Sequence, residues 1–156
     1  MRFLFLLLIS IFFSACSVKN YEHTSSKIII IKSPKIKFAD LGYIRNSDTA
    51  IELELFLAGR AIKKIEINHL ICVDEGCMSK SSFNQEYLYK NYPDDIIQNI
   101  LLGLEIYSGK NRVKTSDGFE QSISEEDVDI KYSVTSSVIA FKDRKNRIIF
   151  KIKEMR

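Results

Sequence analysis

Apolar and polar residues alternate along most of this chain with a period of two, broken once by a stretch with the period of a helix. The clearest alternation is Ile51, Leu53, Leu55 and Leu57 with Glu52 and Glu54 between them, which predicts a strand with one face buried. Gly59 marks the turn after it. Ile65, Ile67, His69 and Ile71 predict the next strand, with Glu66 and Asn68 on its other side. His69 on the apolar side reads as a hydrogen-bonded core or pocket histidine. Upstream, Lys27 and Lys32 enclose four consecutive isoleucines, a β-branched run expected to be covered on both faces or to meet a ligand on one. Pro34 interrupts, and Lys35-Ile36-Lys37-Phe38 alternates again before Gly42.

After Cys77 the period changes. Ser82 with Gln85 three residues on has the capping-box pattern, and Phe83 and Tyr87 then share a helical face with Leu88 at its edge. Tyr92-Pro93-Asp94-Asp95 predicts the start of a second helix, because proline suits a first turn and acids complement its exposed amides. Ile97, Ile100, Leu101 and Leu104 form its apolar stripe, and Gly103 suits its exit. Alternation then returns in Phe119, Gln121 and Ile123, in Val128, Ile130, Tyr132 and Val134, in Val138 to Phe141, and in Ile148, Phe150 and Ile152. Asp143 to Asn146 carries the turn before the last of these. Strands, two short helices and strands again predict a mainly β (α+β) fold: a curved antiparallel sheet or half-barrel covered by the helices. A β-sandwich is the alternative, since the same rows would fill its core.

The first residues follow another pattern. Met1-Arg2 precedes the mostly apolar run Phe3 to Phe13 and then Ser14-Ala15-Cys16. A basic start, an apolar run too short to span a bilayer and small residues at the cut site predict a signal peptide over residues 1–15. The cysteine after the small pair makes this segment resemble a bacterial lipoprotein signal, with Phe13 where leucine is more usual. The resemblance implies a diacylglyceryl group on the Cys16 thiol, cleavage before it and a third chain on the new amino terminus. Two or more chains, at about 0.8 kcal/mol per buried methylene, hold a protein on a membrane. Residues 16–26 then read as lipidated cysteine and flexible tether, because Ser17 to Ser26 is polar and without periodicity, and 27–156 as one domain. Ser17, where aspartate would mark inner-membrane retention in enteric lipoproteins, favours the outer membrane with the domain in the periplasm. The inner membrane and the cell surface stay open.

With Cys16 assigned to lipid, Cys72 and Cys77 are an even pair in an oxidising compartment, and Asp74-Glu75-Gly76 between them signals a turn. A disulfide is expected there. It closes a short loop, so its contribution should fall below the roughly 3 kcal/mol of longer loops. A metal site from His69, Cys72 and Cys77 lacks a fourth ligand, and a redox pair would have two intervening residues. The 23 basic and 20 acidic residues give a net charge of +3 without long runs of one sign, so nucleic acid is not an expected partner.

The segment Tyr92-Pro93 through Asn99-Ile100-Leu101-Leu102-Gly103-Leu104-Glu105 resembles the middle of the LolB family of outer-membrane lipoprotein receptors, although Glu105 stands where proline is usual. Gly118-Phe119-Glu120-Gln121 and then Asp129-Ile130-Lys131-Tyr132 resemble that family's glutamine strand and the apolar-X-Tyr strand after it. Asn146 to Ile152 is similar to its final strand. The likeness covers residues 50–153 in element order, with few identical positions. It implies a half-barrel whose helices lid an apolar cavity for lipid acyl chains, with Leu53, Leu55, Ile97, Ile100, Leu101, Leu104 and Tyr132 lining it. It also implies lipoproteins as cargo, received from a LolA-like carrier. A membrane-contact loop falls on Leu57 and Ala58, where Ala58 replaces an exposed leucine of the family.

The competing reading is a non-enzymatic interaction lipoprotein that stabilises an envelope assembly and binds no lipid. An enzyme is not expected. No Gly-X-Ser-X-Gly motif occurs, Asp94-Asp95 reads as a helix start, and Glu125-Glu126-Asp127 reads as a solvated turn. No phosphate-cradling glycine loop or calcium-loop spacing occurs either, so no cofactor or metal is expected.

Overall fold

The computed structural model describes residues 21–74 and 76–155. Cys16, the signal segment and the tether up to residue 20 lie outside the described residues. In chain order the elements are β1 (His23–Lys32), β2 (Lys37–Asn46), β3 (Ile51–Leu57), β4 (Arg60–Ile67), β5 (Ile71–Val73) and β6 (Gly76–Met78). Then come α1 (Lys80–Tyr87), α2 (Ile96–Leu102) and a 3-10 turn at Tyr107–Gly109. The chain closes with β7 (Arg112–Thr115), β8 (Gly118–Ser124), β9 (Asp129–Thr135), β10 (Val138–Asp143) and β11 (Ile148–Glu154).

All of these strands belong to one sheet, in the order β6-β5-β4-β3-β2-β1-β11-β10-β9-β8-β7. Every neighbouring pair is antiparallel. The first and last strands pair in the middle, so β6 and β7 form the two open edges and the helical segment runs between them. The sheet is not closed into a barrel. One curved sheet under two short helices is the expected architecture, and a single sheet rules out the sandwich.

The alternating rows explain the packing. Ile29 and Ile31, Leu53 and Leu55, Ile65 and Ile67, Tyr132, Phe141, and Phe150 point to one face and join Phe83, Ile96, Ile97, Ile100 and Leu101 of the helices in one buried cluster. Within that cluster Phe141 sits edge-on to Tyr92, Tyr132 and Phe150. Rings at such angles bring the positive edge of one to the negative face of the next.

Several boundaries move. The tether was expected to run to residue 26, but His23 to Ser26 pair with Asn46 to Tyr43 in β2. Backbone hydrogen bonds need no apolar side chain, so periodicity could not show this part of the strand. Gly42 lies inside β2 rather than at its end. A Cβ there would sit 2.5 Å from Ile29 Cδ1, so only glycine lets the Ile29 side chain cross the neighbouring strand. The strand expected from Ile65 to Ile71 is two strands: Asn68 accepts from the Leu70 amide and turns the chain, which leaves His69 exposed in the turn, not in the core. The first helix is capped by Ser79, whose Oγ accepts from the Ser82 amide at 3.1 Å, so the cap lies three residues before the expected Ser82. The second helix starts at Ile96, after Asp94 and Asp95, and stops at Gly103 in the left-handed region as expected. Strand β7 was not visible in the pattern.

Cys72 and Cys77 face each other across the β5–β6 hairpin and form a disulfide. It staples the last hairpin of one open edge.

Candidate functional site

The register defines two ends of the sheet. The proximal end holds His23, the β2–β3 turn at residues 47–50, the β4–β5 turn, the β9–β10 turn and Glu154. The distal end holds Lys32, the β3–β4 hairpin and the β10–β11 turn, with Asp143 opposite Ile148.

At the proximal end the chain is fixed from its first described residue. The Tyr21 hydroxyl donates to Glu52 Oε2 at 3.0 Å, and the Glu22 amide donates to the Asn46 carbonyl at 3.0 Å. Glu52 points to the outer face yet is only 5% exposed, because Arg45 and Lys64 each reach it at 2.6 Å. Burial alone would raise the Glu52 carboxyl, but hydrogen bonds from Lys64, Tyr21 and Arg45 outweigh it and hold the pKa below the ordinary carboxylate range. Burial, together with the Glu52 carboxylate, pushes the Tyr21 phenol up.

Two clefts open at this end, on either side of the β2–β3 turn. The first has about 290 Å³ and enters between β1, β2, β9, β10 and the end of α2. Its apolar walls are Ile44, Leu101, Leu102, Val134, Ile139 and Ile152, and Lys27 and Glu154 border it as an ion pair. The second has about 580 Å³ and is lined by Ser47, Thr49, Glu66, Asn68 and His69 together with Tyr21. Asn46 lines the first and the adjacent Ser47 the second.

The residues implied as cavity lining are mostly brought together, but as packed core. Leu53, Leu55, Ile97, Ile100 and Tyr132 are at most 2% exposed, and none of the five lines either proximal cleft. Leu101, at 3% exposure, reaches the apolar cleft. Leu104 does not join them. It is 48% exposed, because the left-handed Gly103 ends the helical period one residue before it. Its carbonyl accepts instead from the Tyr132 hydroxyl at 2.8 Å, and burial pushes that phenol up.

The segment from α1 to the 3-10 turn is held by further buried polar groups that the alternation only partly disclosed. Asn84 Nδ2 donates to the carbonyls of Tyr92 and Pro93, each at 3.0 Å. The Tyr92 hydroxyl donates to Asp143 Oδ2 at 2.7 Å. Gln121, on the inward face of β8, exchanges bonds of 2.9 Å with the amide and carbonyl of Ile106. A glutamine in an apolar row was the one available signal for this contact.

The expected membrane-contact residues lie at the distal end. Leu57 is 55% exposed, since a register shift after Leu55 turns it off the core row, and Ile62 is 50% exposed nearby. Ala58 and Gly59 form the tight turn with positive φ. Among the described residues no helix is long and apolar enough to cross a membrane, and no group of three His, Cys, Asp or Glu is placed to hold a metal.

No family model matches the chain, and neither a curated protein nor a solved structure matches it.

Proposed function

We propose that this is a lipid-anchored envelope protein that receives a single acyl chain in the apolar cleft at its proximal end. The observation that carries the reading is the position of that cleft. It opens beside Ser25 and Lys27, at the end of the sheet from which the chain runs back to Cys16. Five residue steps lead from Cys16 to Tyr21, which at about 3.3–3.6 Å each span at most about 18 Å. A lipid on Cys16 therefore keeps the cleft mouth near the membrane, where an acyl chain can pass between them with little exposure to water. Its volume of about 290 Å³ is at the small end for ligand pockets, which suits part of one chain. The similarity to LolB-type receptors in element order supports acyl chains of lipoproteins as cargo in the periplasm, with an outer-membrane location and a LolA-like donor. The chain's own residues offer walls and a charged rim for binding, and the reading involves no catalysis.

The test is fluorescence titration of a fatty-acyl probe into the protein lacking residues 1–16. Saturable binding that Leu101→Glu abolishes, with the circular dichroism spectrum retained, is the expected result. Because a buried carboxylate costs several kcal/mol, Val134→Glu at the more open wall serves as the second variant. No binding by the parent protein would hand the case to the interaction-lipoprotein reading.

A further inference from the structure

We infer that a groove on the outer face of the sheet, crossing β8, β9, β10 and β11, binds a soluble organic diphosphate through Lys131, Lys142 and Lys151. The site goes beyond the acyl-chain reading and does not depend on it.

Tyr132, Phe141 and Phe150 hold the inward positions of these strands in the core, so the residues that alternate with them point outward. Over those residues opens a groove of about 420 Å³, lined by the three lysines, with Ala140 and Ile149 between them. Lys131 and Lys142 are exposed, and Lys151 is half-buried. The strand pairing puts no acid opposite any of the three. Lys131 lies between Ser122 and Lys142, Lys142 between Lys131 and Ile149, and Lys151 between Ala140 and Ile30. Among the described residues none of these lysines takes part in an ion pair. Glu120 also lines the groove, but it stands opposite Ser133.

Elsewhere the outer face matches its charges. Arg45 stands opposite Glu52 at 2.6 Å, and Lys64 reaches the same carboxylate at 2.6 Å. Like charges directly opposite each other on neighbouring strands destabilise a sheet, so Lys131 and Lys142 leave a repulsion that a bound anion would relieve.

Charge density and shape select the anion. Side chains directly opposite begin about 5 Å apart, so two ammonium groups can converge on one phosphate. Lys151, two positions along β11 from Ile149, is placed to meet a second phosphate beside it. A lone carboxylate carries one charge and would leave the other lysines unmatched. The hydroxyls of Ser122 and Ser133 in the lining can donate to further phosphate oxygens. Ala140 and Ile149 offer apolar contact for the carbon body. The volume falls in the range of small-molecule sites, and a small ligand enters a hollow that a flat bilayer would lie across.

The test uses the full chain in phosphatidylcholine nanodiscs, with inorganic pyrophosphate as the probe, read by mass spectrometry of lysine acetylation at constant ionic strength. Saturating pyrophosphate should slow acetylation of Lys131, Lys142 and Lys151, and leave Lys37, exposed on the same face outside the groove, unchanged. Lys142→Gln should raise the half-protecting concentration by roughly tenfold, the equivalent of one charge-assisted hydrogen bond, whereas Lys37→Gln should not change it. Lys142→Gln should also melt no lower than the parent, because it removes one of two opposed cations, so lost protection would not reflect lost folding. Equal weakening by Lys37→Gln, or equal protection by sulfate, would mark diffuse attraction to the face and overturn the inference. Protection of the same lysines in phosphatidylglycerol nanodiscs, with none from pyrophosphate, would make a membrane surface the occupant and overturn it too. Acyl-probe binding is a separate readout, so failure of the acyl-chain reading is distinguishable from failure here.

Discussion

At the distal end Asp143 is fully buried and saturated: its oxygens receive the Tyr92 hydroxyl and Asn146 Nδ2 at 2.7 Å each, and the Lys145 amide at 3.0 Å. At the proximal end the equivalent inward rows finish in Lys27 and Glu154, whose side chains are 15% and 50% exposed and pair across an open cleft. The same sheet thus closes one end with a buried hydrogen-bonded carboxylate and leaves the other lined with solvent-reachable charge over apolar walls. Buried, satisfied networks rigidify and specify structure, whereas an exposed pair contributes little and can be displaced by a ligand. The difference teaches that the helical cover is fastened at the distal end, and on the function proposed above binding belongs to the proximal one. If that is right, substitutions at the two ends should separate stability from binding and localisation.

The largest effect should be on localisation. Cys16→Ser should move the protein from the membrane fraction to the soluble periplasmic fraction, read by fractionation and palmitate labelling. A Cys16→Ser variant that still sediments and still incorporates label would remove the reason for placing the proximal end at a membrane.

Next comes stability at the distal end. Asp143→Ala should cost about 3 kcal/mol, because it leaves the buried Tyr92 hydroxyl and the Asn146 amide group without their acceptor. Thermal melting should show it as a fall of several degrees. The pH dependence follows from the same contacts. Burial would raise the Asp143 carboxyl, but the hydrogen bonds from Asn146, Tyr92 and the backbone amides outweigh it, so its pKa is lowered on folding. The stability it supplies is present above the unfolded value of about 3.9 and is lost as pH falls through the lower folded value. Asp143→Asn should therefore flatten the acid limb of the stability curve below about pH 4. An unchanged limb would show that other carboxylates govern acid unfolding.

Reduction of the Cys72–Cys77 disulfide should cost less, under about 3 kcal/mol, since the closed loop is short and sits at a sheet edge. Denaturant melts with and without reductant measure it. Thiol labelling of the denatured, unreduced protein should find neither of these sulfurs free.

How much of this contrast the sequence disclosed depends on the kind of interaction. Strands such as Ile51 to Leu57 and Ile148 to Ile152 were legible because burial on one face writes a period of two. The disulfide was legible from two cysteines around a turn. The start of β1 was not, because His23 to Ser26 are held by backbone bonds to β2 and carry no apolar signal. Nor was β7, whose four residues are exposed or half-exposed at a sheet edge. For the candidate site, Leu101 and Tyr132 were foreseen as inward-facing, yet the apolar cleft also depends on Lys27 and Glu154, residues 127 apart in sequence. Their meeting is set by the pairing of the first and last strands, which no local pattern states. Leu104 was misplaced because a periodicity argument carries on through a glycine that in fact ends the helix.

The smallest effect should come from the exposed apolar tip at the distal end. Leu57 follows the register shift in β3, and its side chain is 55% exposed, so little apolar contact is lost when it is replaced. Leu57→Ser should change stability by no more than about 0.5 kcal/mol, as surface substitutions away from special contacts do. It should also leave acyl-probe binding intact, because the β3–β4 hairpin lies at the other end of β3 from the clefts. Six residue steps separate Ile51 from Leu57, and at about 3.3 Å per step the tip stands roughly 20 Å from the proximal turn. If the proposed lipid on Cys16 holds the proximal end, a tip that far away is poorly placed to touch the same leaflet while the proximal clefts face it. Sedimentation of the lipidated Leu57→Ser protein with vesicles should therefore match the parent. A loss of probe binding in this variant, with its melting temperature unchanged, would reverse the assignment of the two ends and make the hairpin the face that meets lipid.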